Sequence, residues 1–153
     1  MKIIDRKGVS GILNILLLFL LVAGALIYLT IPLWLKGYLD WRNVTSQHYF
    51  HSMLLLLYLA GIPAMAILWQ TKRLVHNVNN HRGFVQENAR HLFWIGISSA
   101  VIALLFLFFI KQILSIFSVV IVIVFILLSL VAFVLSALFR IAVRYKEENE
   151  LTI

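Results

Sequence analysis

The chain has no cysteine, two prolines and seven glycines in 153 residues. The missing thiols exclude disulfides, thiolate metal sites, a cysteine nucleophile and CxxC redox chemistry. Charge is scarce as well. Asp, Glu, Lys and Arg make up 12% of the residues, about half the share of a soluble domain. Apolar residues make up 63%, and the mean hydropathy is +1.01. So few polar groups cannot cover so large an apolar fraction in water. The soluble-enzyme classes fall away, and an integral membrane protein is implied.

Four apolar runs are present, at about 12–35, 49–69, 92–110 and 113–139; none contains Lys, Arg, Asp or Glu, and Lys111–Gln112 joins the last two. Each is near the ~20 residues a helix needs to cross a ~30 Å hydrocarbon core. Lipid cannot satisfy an open backbone, and the runs lack the alternation of a barrel strand. The expected fold is all-α: one membrane domain over 1–153, its four transmembrane helices in an up-down bundle. The start of the chain imitates a signal peptide through Lys2–Lys7, an apolar stretch and Ala23–Gly24–Ala25. The apolar run continues past Ala25 to Leu35, so cleavage there would leave a terminus buried in hydrocarbon, and a retained helix is expected.

The net charge of +7 is a topology signal. Lys2, Arg6, Lys7, Lys72, Arg73, Arg82, Arg90, Arg140, Arg144 and Lys146 fall on one side, and Lys36, Arg42 and Lys111 on the other. Short segments rich in Lys and Arg stay inside. Both termini and the central loop are therefore expected in the cytoplasm of a multi-pass cell-membrane protein. Aromatic residues mark both boundaries, with Trp34, Tyr38, Trp41 and Tyr49 outside and Trp69 and Trp94 inside.

Residues 70–91 read as a cytoplasmic helical hairpin. Leu74, Val75 and Val78 continue the second helix about ten residues past the membrane. Asn79–Gly83 signals a turn, with Gly83 suited to positive φ, and a helical pattern resumes at Phe84 with Glu87 in its first turn. The hairpin's outer faces carry Lys72, Arg73, His76, Arg82, Gln86 and Arg90. Two readings of these basic residues stand: attraction to anionic headgroups, about 1 kcal/mol each, or a docking surface for a cytoplasmic protein. Direct nucleic-acid contact is not expected so close to a bilayer. Residues 140–153 read as a stalk continuing the fourth helix, with Arg144 and Glu148 spaced as an i,i+4 pair.

No chemistry-bearing constellation emerges. His48 and His51 sit three apart at the outer end, and His76, His81 and His91 lie at the inner end, ~35 Å away. Two imidazoles make a poor metal site, and neither a metal nor a cofactor is expected. The spans hold no ionisable group beyond His51 at the edge, which argues against an ion path. Ser98 and Ser99 beside Gly96 and Ala100, and Ser129, Ala132 and Ser136 on the fourth helix, form small-residue faces that favour close helix approach over a substrate path. An enzyme is not expected.

The loop Asn80–His81–Arg82–Gly83–Phe84 with Glu87–Asn88, and the ending Glu148–Asn149–Glu150–Leu151–Thr152–Ile153, resemble a bacterial family of four-helix membrane proteins of unknown function. In layout the resemblance covers the whole chain. The tail is the more specific element, because topology does not demand a charged-then-apolar hexapeptide. Val85 stands where the family often has Ser or Thr, and Glu150 where it usually has Asp. Members are commonly encoded beside a small Cro/CI-type helix-turn-helix regulator, so the resemblance implies a regulatory role, anchoring or sensing for that partner. Arg82, Gly83, Phe84, Asn88 and Arg90 from the loop, with Glu148, Asn149, Leu151 and Thr152 from the tail, are the expected partner-binding residues. The alternative is that Asn88 and Asn149 only tie the two elements together. The apolar Leu151-x-Ile153 end is expected to dock, the chain's own hairpin being one surface for it. Two other functions fit the same features, a membrane-integrity or immunity protein and an accessory subunit of a transporter.

The orientation has a direct check. A reporter enzyme that is active only in the cytoplasm, fused after Ile153, should be active, and one inserted after Arg42 inactive. The reverse pattern would overturn the assignment.

Overall fold

Backbone groups that meet no water must bond within their own segment, and the apolar runs do so as long single helices. The computed structural model describes residues 6–113 and 115–151. Helix α1 spans Arg6–Trp41, α2 Gln47–Asn79, α3 Gln86–Phe109 and α4 Ile116–Leu151. Each is long and apolar enough to cross a membrane, as expected of a multi-pass membrane protein.

At the last connection the boundaries differ from the sequence reading. The connection between the last two helices spans 110–115, longer than Lys111–Gln112, and α4 begins at Ile116 where the apolar run suggested Ile113. Ser115 sets this start, because its Oγ accepts from the Phe117 N–H (3.3 Å) and its carbonyl from the Ser118 N–H (3.0 Å). Ile113 instead turns inward and packs with Leu56 and Phe109, the three forming a buried cluster. The positive φ expected at Gly83 is found at His81 (φ 59°). The end of α2 explains this. Asn80, His81 and Arg82 donate their N–H groups to the carbonyls of His76, Val78 and Asn77, and such a closure needs one left-handed residue just past the helix.

Helices pack in chain order. Contacts join α1 to α2, α2 to α3 and α3 to α4, and among the described residues no other pair of helix backbones comes close. The up-down bundle is thus an open row. Both described chain ends and the 80–85 turn lie at one end of it, called here the terminal end.

Lipid offers helices no hydrophobic drive toward one another, so close packing and polar contacts must hold the row. On α4, Ser129 Oγ donates to the Gly96 carbonyl (2.8 Å) and Ser136 Oγ to the Ala89 carbonyl (2.7 Å). The two bonds lie one heptad apart on both helices and run in opposite directions, which fixes an antiparallel register. Between them Phe133 lies on Gly96, where an added Cβ would fall 2.8 Å from its ring. The small-residue faces therefore serve packing.

The α1–α2 seam works similarly. The Tyr28 ring covers Gly61 so closely that a Cβ there would enter the ring's van der Waals surface. Tyr28 stacks edge-on with Tyr58 (5.3 Å) and donates its hydroxyl to the Tyr58 carbonyl (3.1 Å). That carbonyl adjoins the one at Leu59, which loses its usual i+4 donor because Pro63 has no N–H.

Gly61→Ala and Gly96→Ala should each destabilise the detergent-solubilised protein by about 1–3 kcal/mol, the usual cost of overpacking. Gly37→Ala, with nothing within 4 Å of the new methyl, should be neutral or slightly stabilising. Thermal melts would show it; equal melting of all three variants would contradict this account of the seams.

Candidate functional site

The terminal end is where the sequence places its candidate residues, and the 80–85 turn is its centre. Helix α2 continues past Trp69 to Asn79 without a break. Helix α3 starts at Gln86, two residues later than the pattern at Phe84 suggested, because Val85 is extended (φ −127°, ψ 150°) and occupies the N-cap without a hydroxyl to offer. The missing cap leaves the turn to be secured from elsewhere.

Asn88 secures it. This side chain is fully buried, and its Nδ2 donates to the carbonyls of Arg82 (2.9 Å) and Gly83 (2.7 Å). Its Oδ1 accepts from Asn77 Nδ2 (2.9 Å) across the hairpin. One amide thus satisfies two turn carbonyls and joins α2 to α3. Buried polar groups need such partners, because an unpaired one costs ~1–3 kcal/mol. A turn further along, His91 Nδ1 bonds to Gln70 Oε1 of α2, and His91 Nε2 faces the Glu87 carboxylate at 3.5 Å.

The turn also reaches α4. Phe84 lies against Phe139 with ring centroids 5.7 Å apart, and Arg140 sits over the Phe93 ring (5.5 Å). Helix α4 then continues for twelve residues beyond Phe139 to Leu151, about 18 Å at the helical rise. Val143 is buried, and the residues after it are exposed.

The candidate residues therefore divide into three groups. Arg82, Phe84 and Arg90 are exposed on the turn and the start of α3, with Gly83 half-buried beside them. Asn88 points inward and holds the turn, so it offers no surface to a partner. Glu148, Asn149 and Leu151 are exposed on the stalk, about 14–18 Å further along α4 than the Phe84 contact. Leu151 is 85% exposed and so does not pack on the hairpin; Ile153, the other apolar residue of that end, lies outside the described residues, as does Thr152. The described loop and tail residues expected to bind a partner thus lie apart, the first on a base and the second on a projecting rod.

Two features escaped the sequence reading. Phe139, which receives Phe84, looked like one more apolar residue of a span. Asn14 of α1 joins Trp69, Lys72, Arg73 and His76 of α2 around a cavity of about 330 Å³. The spacing of the α2 residues, 69, 72, 73 and 76, was the available signal, because it is one face of a helix. At the opposite end, His51 Nδ1 bonds to its own helix at the Gln47 carbonyl (2.7 Å). Among the described residues no three His, Asp or Glu side chains gather as metal ligands would.

A family model described as protein of unknown function (DUF2975) matches residues 34–153. The chain belongs to this family. The matched part runs from Trp34 near the end of α1 through α2, α3 and α4, and so contains the whole hairpin and stalk. No curated protein and no solved structure matches the chain.

Asn88→Ala should free the turn while leaving the helices intact. Trypsin cleavage at Arg82 in detergent should quicken by about tenfold or more, since the change strands two carbonyls and the Asn77 amide. Asn88→Asp keeps the acceptor for Asn77 but loses the donor, and should behave similarly. A cleavage rate unchanged in both would show that the buried amide does not hold the turn.

Proposed function

We propose that this protein is a non-enzymatic regulator of the cell membrane that anchors a small soluble partner, a DNA-binding protein of the helix-turn-helix class, at its terminal end. That end faces the cytoplasm in this reading, as the distribution of Lys and Arg favours. The observation that carries the proposal is the form of the end itself. The turn is braced from within by Asn88 and from the side by Phe139. Beside it α4 projects as a continuous helix whose exposed residues include Tyr145 (70% exposed) and Leu151. Interfaces are enriched in exposed aromatic anchors such as Tyr145, and Leu151 adds apolar surface further along the same helix. The class of partner comes from the family resemblance of the loop and tail, whose relatives are commonly encoded beside such a regulator.

Crosslinking in native membranes, followed by purification of the full chain, tests the proposal. A helix-turn-helix protein should be recovered with the wild type. Recovery should fall roughly tenfold, a loss of about 1.4 kcal/mol, on deleting 147–153 or on changing Arg82 and Phe84 to Ala. Equal recovery from all variants, or no such protein with the wild type, would overturn it.

A further inference from the structure

Another feature of the terminal end lies between α1 and α2, away from the hairpin and stalk. Trp69, Lys72, Arg73 and His76 form one face of α2, and Asn14 of α1 closes the cavity of about 330 Å³ that they line. This size lies within the ~300–1,000 Å³ of small-molecule sites. We propose that this cavity is a specific site for the headgroup of one anionic phospholipid, with its phosphate held by Lys72 and Arg73.

The chemistry of the walls selects the charge. No carboxylate lines the cavity, and among the described residues neither Lys72 nor Arg73 takes part in an ion pair. Both cations are instead gathered by one ring: Lys72 Nζ lies 5.8 Å and the Arg73 guanidinium 5.1 Å from the centre of Trp69. A cation–π contact holds a positive charge in place without neutralising it. Asn80 Nδ2 lies 3.1 Å from His76 Nε2. When that amide donates, Nδ1 carries the proton of the neutral ring and is a further donor. Asn14 adds an unmet acceptor, since its side-chain oxygen is shielded from water and has no hydrogen-bond partner; it suits a hydroxyl of a polyol headgroup and not the phosphate itself.

Position selects a lipid over a free anion. The cavity sits where the apolar part of α2 ends at an aromatic and its basic residues begin, the level of a headgroup. Below it the same two helices expose apolar side chains, including Leu18 and Phe19 on α1 and Ile62 on α2, against which acyl chains can lie. A phosphodiester fits the cations at this depth, and a diacyl tail fits the surface beneath.

Native mass spectrometry of the full chain in detergent, with phosphatidylglycerol or phosphatidylcholine added, provides the test. The wild type should retain one phosphatidylglycerol per chain and little phosphatidylcholine. Lys72→Gln with Arg73→Gln should lower that retention about tenfold or more. Asn14→Leu should lower it too, because it fills the cavity and leaves both cations. The charge-matched pair Arg144→Gln and Lys146→Gln, on the stalk, should retain the lipid as the wild type does. Equal retention of the two lipids would overturn the proposal, as would retention unaffected by the cavity variants. A stalk pair as damaging as the cavity pair would show diffuse attraction, and displacement of the lipid by equimolar inorganic phosphate would show a free-anion site; either result also overturns it.

Discussion

Helices immersed in lipid gain nothing from hiding apolar surface against one another, because the acyl chains are as apolar as Leu. Whatever fixes their arrangement must come from contacts that lipid cannot imitate, namely close backbone approach and hydrogen bonds to the backbone itself. The α3–α4 seam supplies both in one place. Ser129 and Ser136 reach carbonyls of α3, and Phe133 lies where Gly96 leaves room between them. A hydroxyl that donates to a neighbouring helix's carbonyl bonds at a fixed point along it, so two such bonds a heptad apart set the register as well as the pairing. The rest of the terminal end depends on this register, since it places Phe139 opposite Phe84 and hence the turn against α4.

The seam also accounts for what was legible in the sequence. Length and apolarity alone identify four spans, because the bilayer thickness leaves little freedom. Ser129, Ala132 and Ser136 announce a packing face by their spacing, and they do pack. Contacts between helices have no such signature. Nothing in the run around Phe139 distinguishes it from Leu138 or Val134, although it is Phe139 that lies against Phe84. The sequence leaves Asn88 either to bind a partner or to tie the loop and tail together, and polarity alone does not say whether a side chain faces a partner or its own backbone. The answer depends on where the carbonyls of Arg82 and Gly83 end up, and that follows from the left-handed residue at His81. Glycine seemed the better candidate for that conformation on steric grounds. The helix-end hydrogen bonds, which count residues from Asn77, selected His81 instead.

The order of packing separates this fold from a closed bundle in a way that bears on function. A closed bundle encloses a core in which ligand or ion sites can be built from facing helices. An open row has no such interior. Tyr28, Phe133 and the cluster of Leu56, Phe109 and Ile113 pack into its seams, and Tyr28, Ser129 and Ser136 bond to the neighbouring helix's backbone. The polar chemistry is left at the ends, where the connections and the headgroups are.

The two ends are not built alike. At the end opposite the termini, α2, α3 and the last connection meet through the apolar cluster of Leu56, Phe109 and Ile113. At the terminal end α2 is tied to α3 through Asn77, Asn88, Gln70 and His91, and α3 to α4 through Ser136. Polar ties of this kind are directional, so they resist rotation of one helix about its axis where apolar contacts alone permit it. Helix α4 therefore leaves a fixed root at Val143, and its orientation beyond that point is inherited from the row. A protein held there would meet a rod of set direction beside a turn of set shape. The shape of the terminal end is thus set by groups inside the row: a buried amide, two serines and a glycine.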